Sequence, residues 1–154
     1  MGRMATQFLN VTWDAFHRDA QILASRQALY GPYRGIVAIS RGGLVPAAIL
    51  ARSLNIRFVE TVSVVTYDQH GEGKEDAIGE PIVTKPAAAA GDGDGFLIVD
   101  DLVDTGTTAR VVRAMLPKAR FVCVYAKPAG RGLADDVVSE VTQDTWIVLP
   151  WEKT

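Results

Sequence analysis

The sequence predicts an α/β protein with a central, mostly parallel sheet flanked by helices. Three observations carry that expectation. Residues 36–39, 96–99 and 121–125 are short, continuous apolar runs, the last within a strand read over 119–126, with the length and content of strands buried on both faces. The first two runs each lead into a glycine-containing loop and then a helix-compatible segment, so residues 36–54 and 96–116 form two strand–loop–helix units. The chain has 154 residues, 48% of them hydrophobic, enough for one domain with a full core, and no linker divides it.

Each element has a local cause. Thr12 is placed to cap a helix whose apolar face is Trp13, Phe16, Ala20, Leu23 and Ala24, ended by Tyr30, Gly31 and Pro32. His17 lies on the polar side, with no second ligand at helical spacing. The run 36–39 ends in Ser40, Arg41, Gly42 and Gly43, and Pro46 suits the first turn of the helix that follows. Residues 58–65 read as the next strand. From 66 to 95 the composition shifts to Asp, Gly, Glu, Lys and Ala, which predicts a flexible lid holding one short strand at Ile82 and Val83. Within it, 87–90 reads as low-complexity filler.

After 96–99 come Asp100 and Asp101, then the loop Asp104, Thr105, Gly106, Thr107, Thr108, then a helix over 109–116. The strand 119–126 ends in Lys127, Pro128, Ala129 and Gly130. Asp135 and Asp136 read as surface charges before a strand at 137–141. Residues 145–151 form an apolar, aromatic segment.

Composition excludes several classes. A formal net charge of −2 leaves no general basic surface for nucleic acid. The single cysteine, Cys123, sits in an apolar run and reads as core, in keeping with a reducing cytoplasm. The first ten residues lack a signal-peptide apolar stretch, and no window approaches the roughly 20 apolar residues of a membrane span.

The chemistry concentrates at strand ends. A helix N-terminus offers backbone N–H groups and positive dipole to an anion, and Gly106 among hydroxyl residues suits a loop that wraps a phosphate. Ser40 to Gly43 repeats that logic with a guanidinium added. Two adjacent carboxylates, Asp100 and Asp101, call for solvent, hydroxyl donors or a divalent cation. Four apolar residues followed by two aspartates also occur in P-loop ATPases, but no Gly-x-x-x-x-Gly-Lys-Ser/Thr precedes them here.

Residues 99–108 resemble the signature that binds 5-phosphoribosyl 1-diphosphate (PRPP) in type I phosphoribosyltransferases. The blocks 11–14, 40–46, 126–130, 143–147 and 150–151 extend the likeness nearly end to end, to the xanthine-guanine members of the 6-oxopurine subgroup. That resemblance implies a single domain over 1–154, with a lid near 66–95 and a small hood over 128–154 joined by the N-terminal segment. It implies transfer of phosphoribose to guanine or xanthine, and less certainly hypoxanthine, with Mg²⁺. By the same resemblance Asp104 to Thr108 cradle the 5′-phosphate, and Asp100 and Asp101 hold the ribose hydroxyls and metal, Asp101 foremost. Ser40, Arg41, Gly42 and Gly43 take the diphosphate, with a cis peptide at Ser40–Arg41. Asp104 faces purine N7, Lys127 donates to the 6-oxo group, Trp146 stacks on the ring, and main chain at Trp146 and Ile147 reads the 2-position.

Departures from the family pattern are Thr107 for a frequent second glycine, Glu152 for an aspartate, and a lid without arginine, where Lys74 stands in. Relatives also continue for a short segment past the corresponding end. They form dimers or tetramers, and some associate peripherally with the inner membrane, for which no amphipathic basic helix is visible here. A PRPP-sensing regulator is the rival class, and adenine and orotate transferases share the signature. The regulator would have no use for Asp104, Lys127 and Trp146 together, and the two transferases leave the Lys127 and Trp146 blocks unexplained.

Overall fold

The computed structural model describes residues 7–66 and 79–152. In chain order the elements are β1 (Gln7–Asn10), α1 (Trp13–Gln27), β2 (Gly35–Ser40), α2 (Leu44–Ser53), β3 (Val59–Thr66), β4 (Pro81–Lys85) and β5 (Phe96–Val103). They are followed by α3 (Thr107–Met115), β6 (Arg120–Ala126), α4 (Pro128–Arg131), β7 (Asp136–Glu140) and β8 (Thr145–Val148). Among the described residues, six strands form one sheet in the order β4-β3-β2-β5-β6-β7, and β1 pairs with β8 in a separate two-stranded sheet. Every pairing is parallel except β3 with the edge strand β4.

Strand alternation sorts the apolar side chains into two cores. Ile36, Ala38, Leu97, Val99, Val122 and Val124 face α1, α2 and the β8 segment. Val37, Ile39, Ile98, Phe121 and Cys123 face the opposite way, onto Ala109, Val112 and Leu116 of α3. A period of two on strands covered on both faces yields the unbroken apolar runs of the sequence. Thr12 caps α1, its Oγ1 accepting the Ala15 N–H at 3.1 Å, and Phe16, Ala20, Leu23 and Ala24 are buried as the spacing requires.

Four expectations are revised. Trp13, the first residue of α1, is 56% exposed and tilts against Trp151, ring centroids 5.9 Å apart. Residues 81–95, expected as lid, are sheet and core: β4 pairs along β3, and Ala87 and Ala90 are buried beneath it. Residues 67–78, the rest of that segment and the place of Lys74, lie outside the described residues. β5 runs through Asp100 and Asp101 to Val103 rather than stopping before them.

Asp135 and Asp136 are cross-links rather than free surface charges. Asp135 Oδ2 accepts from the Phe121 N–H at 2.8 Å and from Arg113 at 2.9 Å. Asp136 Oδ2 accepts from the buried Gln27 Nε2 at 2.8 Å, and Gln27 Oε1 in turn accepts from Arg120 Nε at 2.7 Å. Gln27 is fully buried, so these bonds satisfy a side chain that would otherwise carry a desolvation penalty.

Candidate active site

From β2 the chain crosses through α2 to β3 on one side, and from β5 through α3 to β6 on the other. The carboxyl ends of β2 and β5 therefore flank the point where strand order reverses, which is where open α/β sheets bind ligands. Both loops singled out in the sequence open there. Ser40 ends β2, its hydroxyl hydrogen-bonded to that of Ser63, and the Ser40–Arg41 peptide is cis. Gly43 N–H donates to Ile39 O at 2.8 Å, and Leu44 N–H to Arg41 O at 3.0 Å, so the turn into α2 is tight. A side chain at Gly43 would put its Cβ 2.5 Å from Val99 O and 2.7 Å from Ile39 O. Only glycine lets that turn lie against the neighbouring strand.

The second loop follows β5. Gly106 caps α3 in the left-handed region, φ 91°, and Thr105 Oγ1 lies 3.1 Å from Thr107 Oγ1. The first-turn amides of Thr107, Thr108 and Ala109 have no intrahelical acceptor by position and are open to an anion at the start of α3.

Asp100 and Asp101 stand in the last part of β5 on opposite faces. Asp100 is buried and accepts the Asp101 N–H at 2.8 Å. Asp101 faces the first loop: a Cβ at Gly42 would lie 2.6 Å from its carboxyl carbon. Burial pushes the Asp101 carboxyl above the usual carboxylate range, and the negative charge of Glu152 adds to the effect, against hydrogen bonds that favour the ion. A cation at this point would relieve that penalty. Among the described residues no three His, Cys, Asp or Glu side chains form a closed cage. Asp100 and Asp101 are the carboxylates here that could contribute oxygen ligands to a divalent cation.

At the start of the loop after β5, Asp104 meets Lys127. Lys127 follows β6 and is 4% exposed, and its Nζ donates to Asp104 Oδ2 at 3.1 Å. The other carboxylate oxygen, Oδ1, accepts from Gln143 Nε2 at 2.7 Å, while Gln143 Oε1 accepts the Ala129 N–H at 2.9 Å. Gly130 permits this cluster, since its Cβ would lie 2.9 Å from Asp104 O and 3.2 Å from Gly106 N. Its bareness seats α4 directly on the phosphate loop.

The β1–β8 pair closes the cleft. Trp146, 43% exposed, sits opposite Phe8 in that ladder. It lines a cavity of about 850 Å³ with Phe8, Asn10, Val148, Trp151, Arg41, Gly42, Leu44, Val45 and Glu152. Such a volume admits a nucleotide-sized ligand. Ile147 buries its side chain in the core, so it offers the cleft only backbone.

The fold thus assembles Ser40 to Gly43, Asp100, Asp101, Asp104 to Thr108 and Lys127 along one rim of the sheet, with Trp146 in the wall above. Lys74 lies outside the described residues. Sequence reasoning assigned no part to Gln143 or Ser63. A lone Gln in a polar turn and a Ser inside a strand have no spacing signal, and only the pairing of distant segments brings them in.

The profile of the phosphoribosyl transferase domain matches residues 16–153. A xanthine-guanine phosphoribosyltransferase of Gluconobacter oxydans is 57% identical over 94% of this chain and 84% of its own length. One of Idiomarina loihiensis is 51% identical over 99% and 91%. Among solved structures, a purine phosphoribosyltransferase of Pyrococcus horikoshii superposes with a TM-score of 0.78 at 28% identity, covering 97% of this chain and 96% of its own. With the two glycine loops at the switch point and the acidic pair between them, these matches show that the chain belongs to the phosphoribosyltransferase family.

Proposed function

We propose that this protein transfers the 5-phosphoribosyl group of PRPP to N9 of guanine or xanthine, and to hypoxanthine as a further 6-oxopurine, in purine salvage. The observation that carries the reading is the Lys127–Asp104 pair, a buried donor and an acceptor set side by side where the loop after β5 meets the end of β6. A 6-oxopurine presents the complement: a carbonyl oxygen at C6 next to a protonated N7.

The residues divide the work. The amides of Thr107 and Thr108, with Thr105 and Gly106, hold the 5′-phosphate, while Ser40 to Gly43 receive the diphosphate, Arg41 supplying charge. Asp100 and Asp101 orient the ribose hydroxyls. Trp146 covers one face of the base, and backbone at Trp146 and Ile147 meets its 2-substituent. As N9 bonds to C1′ and the C1′–O bond to diphosphate breaks, the N7 proton passes to the Asp104 carboxylate. Negative charge grows on the departing diphosphate, where fixed donors act most strongly. Mg²⁺ bound with PRPP, held by Asp101 and Asp100, would neutralise part of that charge.

Lys127 also explains selectivity. Adenine would set its 6-amino donor against the ammonium, donor to donor, and lose the hydrogen bond that a 6-oxo oxygen accepts, a mismatch that sites built on hydrogen bonds reject strongly. Purified protein with PRPP and Mg²⁺ should release diphosphate with guanine and xanthine, and not with adenine or orotate. Failure to release it with any 6-oxopurine overturns the proposal.

A further inference from the structure

We infer that Gln143 is a positioning residue for Asp104, fixing the carboxylate so that one chosen oxygen receives the purine proton. The inference rests on the proposed role of Asp104 as proton acceptor. Asp104 is 47% exposed at its side chain, and an exposed aspartate on a loop would sample several rotamers unless held. Two groups hold it, and they differ in kind.

Lys127 approaches Oδ2 from a flexible four-carbon stem, and its ammonium is the same group that meets the purine 6-oxo oxygen. Its grip on Asp104 is therefore shared with substrate. Gln143 has no such second duty. Its Oε1 takes the Ala129 N–H at 2.9 Å, which can only donate, so the amide is oriented with its NH₂ toward Asp104 Oδ1 at 2.7 Å. The Ala129 N–H belongs to α4, seated on the phosphate loop through Gly130.

Gln143 thus ties Asp104 to a backbone frame that does not move with the base. With Oδ1 committed to the amide, Oδ2 is the oxygen left to face N7 as Lys127 turns to the 6-oxo group. Both of Gln143's side-chain hydrogen bonds go to protein groups, the Ala129 N–H and Asp104 Oδ1. It acts through Asp104 alone.

The test is a double-mutant cycle of Q143A and D104A on the full chain, with steady-state kinetics for guanine and PRPP and thermal unfolding for each variant. Q143A should lower kcat about 10- to 100-fold, as a slightly displaced acceptor does, with KM for PRPP within about twofold. Adding Q143A to D104A should cause no further loss, since its effect passes through the missing carboxylate. A merely structural Gln143 would lower kcat by the same factor in both backgrounds, and that result overturns the inference. Wild-type kcat in Q143A with D104A inactive overturns it while leaving the role of Asp104 intact. Wild-type kcat in D104A removes the role of Asp104 and the inference with it.

Discussion

Asp101 shows how one residue can be placed for function against stability. Its carboxyl is raised by burial first and by Glu152 second, so the folded protein binds its proton more tightly than the unfolded chain does. Above the folded value the ion must be held in a poorly solvated place, and the charge then weakens the fold. Below the ordinary Asp value both states are protonated and the difference disappears. Asp101→Asn should therefore raise the urea midpoint at neutral pH in buffer without Mg²⁺, and the gain should shrink as the pH falls through the raised value. The same substitution should abolish most Mg²⁺-dependent transfer. Denaturant titrations at several pH values, paired with diphosphate release, test both halves. In wild type, the proton competes with the metal, so transfer should demand more Mg²⁺ in mild acid.

At the scale of elements, the strand–loop–helix units were legible because each is a local event. Four apolar residues, a glycine turn and a capped helix specify one another within about twenty positions. The contacts between units were not legible for the opposite reason. Asp136 reaches Gln27, and Gln143 reaches Asp104, by pairings that the neighbouring residues do not encode. The alanines at 87 and 90 looked like filler because small side chains give no periodic signal, yet both are buried in the core that α3 covers. Gly130 is the tightest such contact between elements. Gly130→Ala would push α4 off the phosphate loop, since Cβ would meet Asp104 O at 2.9 Å as well as a methyl group of Val103. Overpacking of this kind destabilises by about 1–3 kcal/mol. Chemical denaturation should show that loss, and kcat should fall further than stability alone explains because Lys127 and Asp104 are both displaced.

The whole molecule divides the site between two bodies. The six-stranded sheet carries the phosphate loops, the acidic pair and Lys127, whereas Trp146 stands on the small β1–β8 sheet. A chain that begins at Val11 would leave β8 without its partner strand. It should raise KM for guanine well beyond any rise in KM for PRPP, and initial-rate kinetics with each substrate varied in turn would measure the split. Equal rises in both would place the wall's influence on the sheet as a whole. The pairing of β1 with β8 also imposes an order on biosynthesis. The strands that lead into the two glycine loops, β2 and β5, are made before Thr145 is added, so both loops precede the β8 wall in synthesis. The wall that carries Trp146 closes only afterwards, when β1 pairs with β8, so a nascent chain would bear both glycine loops before that wall exists.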